Sequence, residues 1–274
     1  MGVALQRYGT MKPTIPAKLI GETLCLVLLL SWFCGCDPRE SLQRAMEVGD
    51  AKAIDGILKS NPSQANKPFR FGDMTPLFYA SMCRNPKVAI DLLMANGADI
   101  NARSGGFNLT PLQQAVWSGN VDAAKALLAH KPDVNAVNPD KQTAMHYALS
   151  VYMNAVFSGT TNNVGKEIIE LLLTNGANVN LGTPILTAAS HYAKNTGVME
   201  FLLSKGANPN LQDSEGGTPL HYAVLLGKQD LVEIILRYHP DLRLKQGYYG
   251  TPLATAVDAG HLDVALLGSS GMFW

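Results

Sequence analysis

The chain has 274 residues, 47% hydrophobic and 16% charged, with a formal net charge of zero. That is enough for a substantial core in one elongated domain or two compact ones, and it excludes a disordered, collagen-like or disulfide-scaffold protein. A neutral balance with no Lys/Arg cluster also excludes nucleic acid as a partner, because binding phosphates requires a basic face.

At the N-terminus, Arg7, Lys12 and Lys18 stand without an acid in residues 1–18, and after Glu22 residues 23–36 carry no charge. A basic segment followed by a short apolar run has the form of an export signal. The run is too short for the ~20 residues of a spanning helix. It is also apolar on every side, so it lacks the stripe of a core helix. It ends in "FCGC" (33–36) and resembles a bacterial lipoprotein signal, in which Gly35 precedes the cysteine that becomes the lipidated first residue, here Cys36. Phe33 departs from the usual Leu or Val of that pattern, and Met11 offers an alternative start. An ordinary secretory signal or an uncleaved anchor are the alternatives. The resemblance implies a leader of residues 1–35 and a mature domain of residues 36–274. That domain would be lipid-anchored, by palmitate for instance, to the inner or outer membrane of a bacterial periplasm.

Of the other cysteines, Cys25 and Cys34 fall within the leader, which leaves Cys83 as the single free thiol. Cys34-Gly35-Cys36 has no second pair or matched histidines, so neither a metal site nor a cofactor is expected.

From residue 40 onward the chain is periodic. "TPLFYA" starts at Thr75, "TPLQQA" at Thr110, "TAMHYA" at Thr143, "TPILTA" at Thr183, "TPLHYA" at Thr218 and "TPLATA" at Thr251, at spacings of 35, 33, 40, 35 and 33. A second signature follows about 20 residues later: "NGADIN" (96–101), "NGANVN" (175–180) and "KGANPN" (205–210), with degenerate copies at 131–135 and 239–243. Thr-Pro opens a helix, because the hydroxyl caps free N–H groups and proline at the first turn loses no hydrogen bond. The alanine four places after each proline lets helices approach closely, and the glycine suits a left-handed helix end. A lone unit cannot bury its apolar face, so stability comes from stacking.

These phased signatures resemble ankyrin repeats over residues 37–267. The resemblance implies an all-α solenoid of about seven helix-turn-helix units with short β-hairpin loops, the first and last units atypical. It also implies a structural role for His146 and His221, which take the histidine place of the signature. No His-Glu-x-x-His, nucleophile elbow or phosphate loop accompanies the repeats, so no enzymatic activity and no catalytic residue are expected.

Departures from the period point to function. From Thr143 to Gly176 the chain advances 33 residues where a regular unit advances 21, an insertion at about 150–163. Its apolar part, including Tyr152 and Phe157, would extend the first helix, and either packing or partner binding would explain it. The next connection, Gly176 to Thr183, is 7 residues where about 12 is regular. On the inner helices, the fifth and eighth places counting Thr as one should face the concave groove. They hold Tyr79, Met82, Gln114, Trp117, Tyr147, Tyr222 and Leu225, aromatic and apolar groups suited to a partner-binding surface. Residues 268–274, "GSSGMFW", depart from the repeat and fit either a cap or an interrupted unit.

The expectation is a protein-binding solenoid, monomeric or in a 1:1 heterocomplex. Anchored ankyrin lipoproteins resemble immunity proteins that neutralise type VI secretion toxins such as lipases. A periplasmic scaffold supporting envelope or oxidative-stress proteins, or a secreted host-directed factor, are the alternatives.

Overall fold

The computed structural model describes residues 38–69, 73–158, 163–191 and 196–269. The leader, Cys36 and residues 270–274 lie outside the described residues.

Among the described residues seven antiparallel helix pairs stack in chain order. They are α1 (Pro38–Val48) with α2 (Ala51–Ser60), α3 (Pro76–Ala80) with α4 (Pro86–Ala95), and α5 (Pro111–Trp117) with α6 (Val121–Ala129). Then come α7 (Ala144–Phe157) with α8 (Val164–Thr174), α9 (Pro184–His191) with α10 (Thr196–Ser204), α11 (Pro219–Leu225) with α12 (Gln229–Leu236), and α13 (Pro252–Asp258) with α14 (Leu262–Ser269). Odd helices stack on odd and even on even, and one apolar core runs the length of the stack. The fingers between pairs form no strand among the described residues. They close with single antiparallel bridges such as Ser104 to Leu109 and Gln246 to Gly250.

Local chemistry repeats with the motif. Thr75, Thr110, Thr218 and Thr251 hold extended backbone and accept the N–H of the residue three places on, capping α3, α5, α11 and α13. Gly97, Gly176 and Gly206 are left-handed at φ 78°, 87° and 88°, as the helix ends require. The degenerate copies put Lys131 and His239 into that same conformation, at φ 54° and 50°.

Two ladders then lock unit to unit. Asn66, Asn101, Asn135, Asn180 and Asn210 each accept a backbone N–H from the following unit's loop at 2.7–2.9 Å. On the outer helices, His130–Asp91, Lys125–Glu167, Lys205–Glu170 and Arg237–Glu200 pair across successive interfaces at 2.9, 2.7, 3.2 and 3.6 Å. These pairs are exposed, so each contributes little to stability.

The fourth unit breaks the pattern. α7 has 14 residues where α5 has seven. Its added turns pack rather than project: Met153 is fully buried, and Tyr152 sets its ring edge-on to Phe201 of α10 at 5.9 Å. α8 crosses so close to α7 that a Cβ on Gly165 would lie 2.2 Å from the Tyr152 backbone nitrogen. The short connection that follows forces Gly182 and Thr183 into left-handed backbone at φ 74° and 65°. The Thr183 hydroxyl therefore donates to the Gly182 carbonyl, and the expected threonine cap is lost at this unit.

Candidate protein-binding face

The inner helices and fingers form one face, and the motif's polar residues organise it. His221 accepts the Thr218 N–H at Nδ1 and reaches the Gly250 carbonyl of the next finger through Nε2, at 3.2 and 3.0 Å. His146 repeats this with Thr143 and the Gly182 carbonyl, at 3.1 and 2.8 Å. Nε2 therefore carries the hydrogen and the rings are neutral. Burial lowers the pKa of both histidines, opposed by the carbonyl each one meets. In the third unit Gln113 does the same work, bonding to Thr110 and to the Ala136 and Gln142 carbonyls. These groups tie fingers together, and their role is structural.

The fifth-place side chains are less free than their exposed register suggests. Tyr79 and Gln114 are each only 7% exposed, which corrects the expectation for both. Tyr79 packs edge-on against Phe69 at 5.4 Å and donates to Glu47 of α1 at 2.6 Å, so it joins two units. Burial first, and that carboxylate second, push its hydroxyl well above the usual tyrosine range. Gln114 turns back to Ser118 at 3.0 Å. Tyr222 donates to the Asp213 carboxylate, and Tyr147 is held between Asn138 and Gln142 at 2.8 and 3.0 Å. Both clamp their own unit's finger from nine residues away. The Tyr147 hydroxyl is pushed up to about 12 by burial and then by the charge of Asp140.

Among the other candidates, Met82 is half-buried against the core and Leu225 is half-buried beside exposed Leu226. Tyr152 faces the fifth unit's outer helix, so the structure takes it off the inner face. The Phe157 side chain and the Cys36 attachment point lie outside the described residues. Cys83 is half-buried, and burial raises its thiol to about 12, with Glu47 adding to the shift.

What the face does assemble is an aromatic row. Trp117 and Tyr147 lie 6.0 Å apart with rings tilted by 34°, and Phe107, from the preceding finger tip, stands edge-on to Trp117 at 5.2 Å. Phe107 is 55% exposed and Val137 of the next finger 41%. Arg103 braces the two fingers, donating to the Asn108 carbonyl at 3.2 Å and the Val137 carbonyl at 2.6 Å. A second tip residue, Tyr248, is 94% exposed against Tyr249. Sequence reasoning missed Phe107, Val137 and Tyr248. The signal was present for two of them, since Phe107 and Tyr248 stand three places before Thr-Pro, where other fingers carry Asp140 and Glu215.

Among the described residues no His/Cys/Asp/Glu cluster could hold a metal ion, and no helix is long and apolar enough to cross a membrane.

The stack, its capped inner helices and its finger ties define a helical repeat solenoid. Comparison with known families bears this out. Ankyrin repeats (three copies) match residues 89–181, 152–246 and 191–267, and a single ankyrin repeat matches 72–105. The chain belongs to the ankyrin-repeat family. It is 31% identical to an ankyrin repeat protein of Acanthamoeba polyphaga mimivirus over 59% of its own length and 20% of that protein. It is 25% identical to human inversin over 75% of its length and 22% of inversin, so it spans about a fifth of each of these two relatives. Among solved structures, the ankyrin repeat domain of Bcl-3, a member of the IkappaB protein family, aligns with a TM-score of 0.69 and 25% identity. That alignment covers 82% of this chain and 96% of that one.

Proposed function

We propose that this chain is a non-enzymatic recognition module that binds another protein, one to one, through its inner face and finger tips. The observation that carries the reading is the row Phe107–Trp117–Tyr147, flanked by Val137. Aromatic rings packed against one another and left partly exposed are the usual anchors of a protein interface. The test is capture of partners by residues 36–274 against the Phe107→Ala/Trp117→Ala pair. Partners retained at unchanged affinity by the variant overturn the assignment.

The finer reading makes it a bacterial envelope lipoprotein, its leader of residues 1–35 removed and Cys36 lipidated in the periplasm, that neutralises a secreted toxin such as a lipase. Its support is the "FCGC" leader joined to a binding solenoid. Cys36→Ser should abolish palmitate labelling, and labelling that persists refutes the anchor. Inhibition of a lipase encoded beside this chain would support the immunity role, and full lipase activity in an equimolar mixture would refute it. The relatives named above are viral and human, which favours as second reading a host-directed factor whose partner is a eukaryotic protein.

A further inference from the structure

Three features coincide where the fourth unit meets the fifth. The connection is short and closes through Gly182 and Thr183, both left-handed, a rare state for a β-branched threonine. The outer helices α8 and α10 approach each other less than any other neighbouring outer pair. Finally, threonine caps α3, α5, α11 and α13, whereas Thr183 does not cap α9 and Thr143, bound to the His146 ring, does not cap α7.

Across this junction, where Asn180 and His146 keep their ties at 2.8 Å each, stands one further side-chain cluster. Phe201 of α10 receives the edge of Tyr152 from the α7 extension at 5.9 Å. Lys166 and Lys205 lie over its ring at 5.1 and 5.4 Å, and Lys205 also pairs with Glu170 at 3.2 Å. Tyr152, Lys166 and Glu170 belong to unit four, and Phe201 and Lys205 to unit five. The insertion thus supplies a clasp across the interface that its own irregular connection weakens.

We infer that this junction is a hinge at which the solenoid opens as two cooperative blocks, units one to four and units five to seven, with Tyr152 against Phe201 as the clasp. The aromatic row falls in the first block, and Leu226 and Tyr248 in the second. Opening therefore changes the separation of the two exposed apolar regions without disturbing either. The hinge does not depend on which partner binds, or on whether the row binds at all.

Native-state hydrogen exchange of the full chain, followed peptide by peptide against urea, tests the inference. In the wild type, amides of α9–α13 should share one opening that begins at lower urea than that of α3–α8. Tyr152→Ala should speed exchange in α9 and α10 about tenfold while leaving α3–α6 unchanged, and Tyr152→Phe should restore the wild-type rate. A single isotherm for all helices, equal acceleration of α3–α6, or no acceleration at all would each overturn the hinge. If Tyr152→Ala does not fold, Phe201→Leu gives the same reading from the other side, and the wild-type isotherms decide by themselves.

Discussion

Thr183 and Thr218 open the same motif in adjacent units and end in opposite states. Thr218, reached through a full finger, holds φ −99° and caps α11, whereas Thr183 follows a shortened connection, sits at φ 65° and caps nothing. The short connection before Thr183 still receives its histidine tie, since His146 finds the Gly182 carbonyl as His221 finds that of Gly250 before Thr251. The fold follows an order of priority. When the connection is too short for both, the tie between units is kept and the local cap is given up, because a buried ring nitrogen left without its partner costs more than a helix end that water can reach.

The largest effect expected from sharpening this contrast is at Gly165. Gly165→Val should cost about 3 kcal/mol or more, since its Cβ meets the α7 backbone, which cannot rotate away. Gly56, also inside a helix but with nothing near its Cβ, should respond with the opposite sign. Gly56→Ala should stabilise by about 0.5–1 kcal/mol, and urea midpoints of the two variants read both.

Next come the histidine ties. His221→Ala should cost about 2 kcal/mol by leaving the buried Thr218 N–H without its acceptor and removing the tie to the Gly250 carbonyl. Because burial lowers both histidine pKa values below the ordinary 6.5, the unfolded chain binds their protons more readily. Their contribution is complete above about pH 6.5 and is lost as the pH falls toward the lowered folded values. Gln113 already makes this tie without titrating. The double variant His146→Gln/His221→Gln should therefore flatten the urea-midpoint profile between about pH 7 and 5 while remaining folded.

Smaller gains are expected where a side chain occupies a glycine conformation. Lys131→Gly and Thr183→Gly should each raise stability by about 1 kcal/mol in urea unfolding, whereas Thr218→Ala should lower it by about the same amount. Smallest is the outer ladder. Lys125→Ala, which removes the exposed pair with Glu167, should change stability by less than about 0.5 kcal/mol, and by less still in high salt.

The Thr-Pro and Asn-Gly signatures made the stacked pairs, the caps and the left-handed helix ends legible in advance, because each is decided within one unit. Lys131 and His239 could also have been read as left-handed, since they align with the glycine of "NGADIN". What could not be read depends on neighbours. Tyr79 is buried because Glu47 and Phe69 come to it from the preceding unit and finger. Tyr152 points along the stack because α8 crosses its backbone at Gly165. Of the partner-binding candidates, Trp117 and Tyr147 meet in one cluster, but the residue that completes it, Phe107, lies on a finger and outside the helical register.

The recognition surface itself is tested most directly by placing a photo-crosslinking amino acid at Phe107 and, in a second chain, at Val88, an exposed apolar position on outer helix α4. Irradiation in the source cells should give a discrete protein adduct from position 107, abolished by Trp117→Ala, and none from position 88. Adducts from position 88 alone, or an adduct at 107 indifferent to Trp117→Ala, would contradict the assignment of the aromatic row as the binding face.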